Sequence, residues 1–155
     1  MLFVKKLSLL VLSELRHKLA RIKLDSEVLG LGLILERIAR VRVKDVFKED
    51  DVIYFIVGVG QIGKAIGKGA ENIKKLSTRF NKKIKIIEFS PKPEVFVKNV
   101  VYPAKPREIV VEGEYIIIKD QSKSTKSMII GRGGKNLALI NRAVRRFFSF
   151  EVKVE

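Results

Sequence analysis

Three glycine-bearing stretches mark where this backbone could meet a phosphate. Two are copies: Ile66-Gly67-Lys68-Gly69-Ala70-Glu71-Asn72-Ile73 and Ile130-Gly131-Arg132-Gly133-Gly134-Lys135-Asn136-Leu137, offset by 64 positions throughout. Glycine has no Cβ, so backbone N–H groups at such a turn can come close to a phosphate. A helix that starts at the turn adds the positive end of its dipole. Lys68 and Arg132 would add a full charge at the exposed turn position. The third stretch, Gly58-Val59-Gly60-Gln61-Ile62-Gly63-Lys64, fits two other phosphate-binding spacings. As GxGxxG it matches a dinucleotide site, with Glu88 placed 25 residues after Gly63 to hold a ribose. As GxxxxGK it matches a nucleotide loop, but Ala65 stands where Ser or Thr should hold magnesium. The hexad is missing from the second copy, and the elements after Glu88 do not alternate as strand and helix. Nucleotide chemistry at Gly58–Lys64 is therefore the weaker reading.

Other chemistry finds few residues. There is no cysteine, which excludes disulfides, thiolate zinc sites and thiol catalysis. The single histidine, His17, cannot build a metal site or a proton relay alone and reads as a surface residue on a basic helix. No paired carboxylates and no Ser–His constellation stand out, so no residue is assigned to catalysis and no metal or cofactor is expected.

The elements that must position the turns recur as well. Asp25 or Ser26 can cap a helix running to about Ala39, with Leu29, Leu33 and Ile34 on its buried side. Val41–Phe47 and Val52–Val57 read as strands across the turn Glu49-Asp50-Asp51. A short helix over Gln61–Ile66, a longer one over Glu71–Asn81 and a strand over Ile84–Phe89 complete the first copy. After Pro91 and Pro93 the pattern repeats: a helix over Glu94–Val101, a hairpin of Glu108–Val111 and Tyr115–Lys119 across Gly113, helices over Ser122–Ile130 and Lys135–Phe148, and a final strand through Phe150, Val152 and Val154. Both copies read αββααβ, which argues for two units of one module. On the second helices Ile73, Leu76 and Phe80, and likewise Leu137, Ile140 and Val144, form apolar stripes that read as core.

Charge placement points to the partner. Of 32 Lys and Arg against 17 Asp and Glu, residues 61–83 hold seven basic and one acidic, and residues 121–146 hold seven basic and none acidic. Most of the net +15 therefore sits on the two glycine-turn hairpins, where a polyanion would bind. Ahead of them, Leu12, Leu15, Leu19 and Ile22 fall at helical spacing with Arg16, Lys18 and Arg21 between them, which predicts a basic amphipathic helix packed on the protein. The apolar run Leu2–Leu12 is far short of a membrane span and has no small-residue cleavage site, so no membrane partner is expected. The cysteine-free, lysine-rich composition fits a cytoplasmic protein.

A short helix, an Ile-Gly-basic-Gly turn and a second helix form the helix–GxxG–helix core of a KH domain. The order αββααβ resembles the type II KH fold. Two such modules in so short a chain resemble the archaeal NusA-like transcription termination/antitermination factors. The resemblance covers about residues 24–155 and rests on Ala65–Gly69, Glu71–Ile73, Ile129–Asn136 and the Asn99–Lys105 segment, which resembles that family's inter-module Pro-Ala-Lys stretch. It implies an α+β fold of two tandem type II KH domains, 24–90 and 91–155, behind a basic N-terminal extension, 1–23. It also implies that the chain binds single-stranded RNA and acts in transcription elongation, termination or antitermination, with nascent transcript and RNA polymerase as partners. The candidate RNA-binding residues are Lys64, Ile66, Gly67, Lys68, Gly69 and Ala70 in the first copy. In the second they are Lys126, Ile130, Gly131, Arg132, Gly133, Gly134 and Lys135. Ile66 and Ile130 are expected to line the grooves where bases lie. Ala70 departs from the glycine the motif has at that position, which predicts a first turn that is weaker or differently shaped. A ribosome-associated RNA-binding or assembly protein is the alternative within the same fold, and a nucleotide-dependent enzyme using Gly58–Lys64 is the alternative outside it.

Overall fold

The computed structural model describes residues 2–155, with the side chains of 2–4, 7 and 20–25 outside the description. One helix, α1 (Leu2–Ala39), leads into β1 (Val43–Glu49), β2 (Val52–Val57), α2 (Ile62–Ile66), a tight turn at Lys68–Ala70, α3 (Glu71–Phe80) and β3 (Lys83–Glu88). After four linking residues come α4 (Pro93–Val101), β4 (Glu108–Glu112), β5 (Tyr115–Lys119), α5 (Lys123–Ile130), a second tight turn at Arg132–Gly134, α6 (Lys135–Arg145) and β6 (Glu151–Val154). No helix among the described residues is long and apolar enough to cross a membrane.

Both modules build the same sheet. β2 lies between β1, antiparallel to it, and β3, parallel to it, and β5 holds the same place between β4 and β6. In each case the parallel pair is joined by the helix–turn–helix, since a parallel connection must cross over the sheet. The uninterrupted apolar run Val52–Val57 is explained by burial on both faces. Strand alternation sends Ile53, Phe55 and Val57 into one cluster with Leu31, Leu35, Val46, Ala65 and Leu76, the core of the first module. Tyr54 and Ile56 point the other way. They join Phe47 and Ile87 in a second cluster that also holds Phe96, Val97 and Val100 of α4, Ile116, Ile118, Ile129, Ile140, Ala143, Val144 and Val152. The second module is thus packed on the back of the first module's sheet, and the two share this second cluster while the first module keeps its own.

The linking residues are held as well. Phe89 sits among Phe96, Phe147 and Phe148, with ring centroids 5.8, 5.0 and 6.1 Å away, and the Lys44 ammonium lies 4.3 Å from its ring centre. This cluster also ends α6 at Arg145 rather than Phe148, because Phe147 and Phe148 turn inward to reach it.

The N-terminal expectation needs correction. There is no cap at Ser26: α1 runs unbroken through it for 38 residues. Leu9, Leu12, Leu15 and Leu19 are 49–65% exposed, so this stretch projects from the body instead of packing on it. Arg21, Ile22 and Asp25, part of the same expectation, have side chains outside the described residues. Among the described residues of α1, only the later turns bury an apolar face, through Leu31 and Leu35, while Leu29 and Leu33, expected inside, face solvent.

Candidate nucleic-acid interface

Each turn begins where a short helix ends. Gly67 (φ 79°) stops α2 and Gly131 (φ 74°) stops α5, with their amides bonded back to Gly63 and Ser127 carbonyls at 3.0 and 2.8 Å. Two left-handed residues follow in each copy: Gly69 and Ala70 at φ 62° and 59°, Gly133 and Gly134 at φ 65° and 75°. The fourth amide of each turn closes on the first carbonyl, Ala70 N on Gly67 O and Gly134 N on Gly131 O, both at 3.1 Å. The amides of Lys68 and Gly69, and of Arg132 and Gly133, have no acceptor among the described residues. Two adjacent free amides in a turn that opens a helix form a concave donor pair of the kind that accepts a phosphate oxygen. A Cβ built on Gly69, Gly133 or Gly134 would meet nothing within 4 Å, so this face is open.

An asparagine clasps each turn. Asn72 Nδ2 donates to Lys64 O at 3.1 Å and Asn136 Nδ2 donates to Met128 O at 2.9 Å, tying the second helix to the end of the first. The clasp crowds the first glycine of each turn: a Cβ at Gly67 would lie 2.9 Å from Asn72 Nδ2, and one at Gly131 would lie 2.6 Å from Asn136 Cγ. Sequence reasoning quoted these asparagines within the repeat without giving them a role. The signal was present, since the same amide recurs five residues after the first glycine in both copies.

Beside the first turn lies a groove of about 500 Å³, lined by Ile62, Ile66 and Ile73 on the helices, Ile84–Glu88 on β3, and Lys98, Asn99 and Tyr102 at the end of α4. Ile66 is among its lining residues. The α3 stripe divides: Leu76 is core, while Ile73, expected there too, faces the groove. In the second module Ile140 and Val144 are core as expected, Leu137 packs against it and Ile130 is half-buried. On the groove floor Lys85 donates to Val100 O at 2.8 Å, and burial pushes its ammonium below the ordinary lysine range. Lys64, Lys68 and Arg132 are exposed and Lys126 is half-exposed.

Lys135 behaves differently. It pairs with Asp50, Arg142 with Glu49 and Arg146 with Asp45, so α6 clamps onto the acidic edge of the first module's β1–β2 hairpin. Arg142 also donates to Lys48 O at 2.9 Å, and both arginines lie against the Phe47 ring. The charge counted over 121–146 is thus partly an inter-module clamp. Lys123, Lys126, Arg132 and Arg145 have no ion-pair partner among the described residues.

The Gly58–Gly63 hexad has a structural role. Gly60 donates to Glu88 Oε1 at 2.8 Å, Gly58 to Arg42 O at 3.0 Å, and Gln61 Oε1 accepts from Arg42 N at 2.6 Å. The carboxylate proposed to hold a ribose instead occupies a loop amide, and the sheet behind it has three strands with an antiparallel member. Among the described residues no group of three or more His, Cys, Asp or Glu could hold a metal ion.

Two helix–turn–helix units, one with the full GxxG turn Gly131–Gly134 and one with Ala70 at the fourth position of its turn, each mounted on a three-stranded sheet with αββααβ order, make this a tandem KH protein. A KH domain model matches residues 33–102. A probable transcription termination protein NusA of Methanococcus vannielii is 35% identical over 127 residues, covering 80% of this chain and 72% of the relative. Its counterpart in Methanocaldococcus jannaschii is 33% identical, covering 83% and 72%, and that of Thermoplasma acidophilum is 29% identical, covering 83% and 91%. The crystal structure of APE1850 is similar with a TM-score of 0.70 at 29% identity, covering 83% of this chain and 98% of that one. The chain belongs to the archaeal NusA-like family.

Proposed function

We propose that this protein binds single-stranded RNA with both turns at once and acts on the nascent transcript in elongation, termination or antitermination, in the cytoplasm and beside RNA polymerase. The observation that carries this reading is the duplicated turn: two open pairs of free amides, each next to an exposed Lys68 or Arg132, the first seated on the core of the first module and the second on the cluster that joins the two modules. The contacting residues are Lys64, Ile66, Gly67, Lys68, Gly69 and Ala70, with Lys126, Ile130, Gly131, Arg132, Gly133 and Gly134. Lys135 contributes only if it leaves Asp50. The modules act as the units 24–90 and 91–155, with 1–23 as an extension.

Each KH turn grips about four nucleotides, and a strand that reaches both makes its second contact intramolecularly. An RNA of about ten nucleotides should therefore bind roughly 10² more tightly than one of about five. The log–log salt slope should be near −0.7 per phosphate contacted. Fluorescence anisotropy over RNA length and salt tests both. A slope near zero, or a smooth rise of affinity with length, would overturn the two-turn reading. Co-purification with RNA polymerase, not with ribosomal subunits, is the expected result for the partner.

A further inference from the structure

We propose that Tyr102 is a base-stacking platform that carries an unpaired RNA base between the two turns. The inference rests on the reading that the chain binds single-stranded RNA, and it assigns a site that neither glycine turn contains.

The three tyrosines are placed very differently. Tyr54 is buried and stacks on Phe47 with centroids 4.9 Å apart, and Tyr115 lies under the Lys153 ammonium at 3.6 Å. Tyr102 is 63% exposed and makes no ring contact, cation–π contact or side-chain hydrogen bond among the described residues. Yet it stands at a crossroads. Its side chain lines the first groove with Ile66 and Ile73. It also lines a cavity of about 170 Å³ at the module junction, where Met128, Asn136 and Leu139 of the second helix–turn–helix form the other wall. A third concavity, about 650 Å³, opens on its far side between α4 and β4. Met128 and Asn136 are the two halves of the second clasp. Tyr102 therefore borders both the groove of the first turn and the clasp of the second.

The surroundings suit a nucleotide. Lys85 and Lys98 line the groove together with Tyr102, and Lys98, Lys105 and Arg107 line the third concavity with it, alongside Glu94 and Glu108. An aromatic face beside a basic track binds single strands because every unpaired base has a π-face to stack, whereas a duplex keeps its bases stacked on one another. The ring is joined to the end of α4, whose Phe96, Val97 and Val100 are in the shared core, so the platform is held at a fixed position relative to both turns. A strand that ran from Ile66 and Ile73 to the second turn by way of the junction would pass Tyr102, which lines both the groove and the junction cavity.

The test uses the full chain and four proteins: wild type, Tyr102→Phe, Tyr102→Leu and Tyr102→Ala, titrated with an RNA of about ten nucleotides and one of about five. Tyr102→Ala and Tyr102→Leu should weaken the longer RNA about tenfold, the range of one lost stack, while Tyr102→Phe stays within about twofold of wild type. The shorter RNA, held by one turn, should change less. With 2-aminopurine walked along the longer RNA, one central position should be quenched by wild type and Tyr102→Phe and released by Tyr102→Ala. Equal affinity of Tyr102→Ala and wild type overturns the platform while RNA binding stands. Leucine matching phenylalanine would mean an apolar contact rather than a stack, and overturns it too. Failure of the wild type to bind either RNA overturns the underlying reading instead.

Discussion

At the first turn Gly69 and Ala70 take φ of 62° and 59°; at the second, Gly133 and Gly134 take 65° and 75°. The backbone is copied where the residue is not. An alanine in the left-handed region costs about 1 kcal/mol, because Cβ crowds the following carbonyl. The turn keeps its shape because the Asn72 clasp and the Ala70-to-Gly67 hydrogen bond impose it. The sequence reading allowed Ala70 to weaken or reshape the first turn. Its backbone shape is unchanged, which answers the second of these, and the left-handed Ala70 adds a cost in stability. A second contrast concerns charge. In the first copy Lys64, Lys68 and Lys74 face solvent. In the second, Lys135, Arg142 and Arg146 reach back to Asp50, Glu49 and Asp45. One basic hairpin is open, and the other also fastens the modules together.

The sharpest way to break this comparison is to invert the charge of each turn separately. Arg132→Asp with Gly133→Asp, and Lys68→Asp with Gly69→Asp, should each weaken a ten-nucleotide RNA about a hundredfold, since either change removes the intramolecular second contact. The losses should agree within a few-fold, because the free amides are alike. Anisotropy with circular dichroism as a folding control checks this, and a tenfold disparity would show that the turns are not equivalent.

The clasps should differ in tightness. Gly131→Ala combines a left-handed backbone with a Cβ 2.6 Å from Asn136 Cγ and should cost about 2–3 kcal/mol in urea unfolding. Gly67→Ala meets the movable end of Asn72 first and should cost less. The reverse order would mean that the first clasp is the stiffer one.

The inter-module clamp is the next step down. Asp45 takes two hydrogen bonds from Arg146 and is the most buried acid of the three pairs. A double-mutant cycle of Asp45→Ala and Arg146→Ala should give a coupling of about 1 kcal/mol, weakened by salt, since the pair is partly solvated. A coupling of zero would reduce the clamp to surface decoration.

The smallest effects should have opposite signs. Ala70→Gly should stabilise the fold by about 1 kcal/mol, and Gly134→Ala should destabilise it by about the same amount. If both destabilise, Ala70 makes contacts that offset its backbone strain.

Much of this was legible because its causes are local. The repeated Ile-Gly-basic-Gly turns, the strands around them and the short linker all follow from spacing within a few residues of each other. Ser122, read as the start of a helix, stands one residue before α5 and caps it, accepting from Thr125 N at 3.2 Å. Where the reading failed, the cause lay far off in the chain or in solvent. Nothing near Arg142 or Arg146 announces partners 93 and 101 residues away, so their charge was assigned wholly to RNA. Ser26 has the chemistry of a cap, but helix continues on both sides of it, and Leu29 and Leu33 found no neighbour to bury them. Ile73 has the period of a core residue, and only the placement of β3 and α4 opens a groove against it.

The shared core also bears on how the chain is made. Synthesis runs from the N-terminus, so β1, β2 and β3 can pair before any of the second module exists. At that moment Phe47, Tyr54, Ile56 and Ile87, the back of the finished sheet, have no cover. Helix α4 emerges next and brings Phe96, Val97 and Val100 to that face, acting as a provisional lid until α6 arrives with Ile140 and Val144. A nascent chain stalled just after Glu88 should therefore bind a hydrophobic dye or a chaperone, and one stalled after Val101 should do so much less.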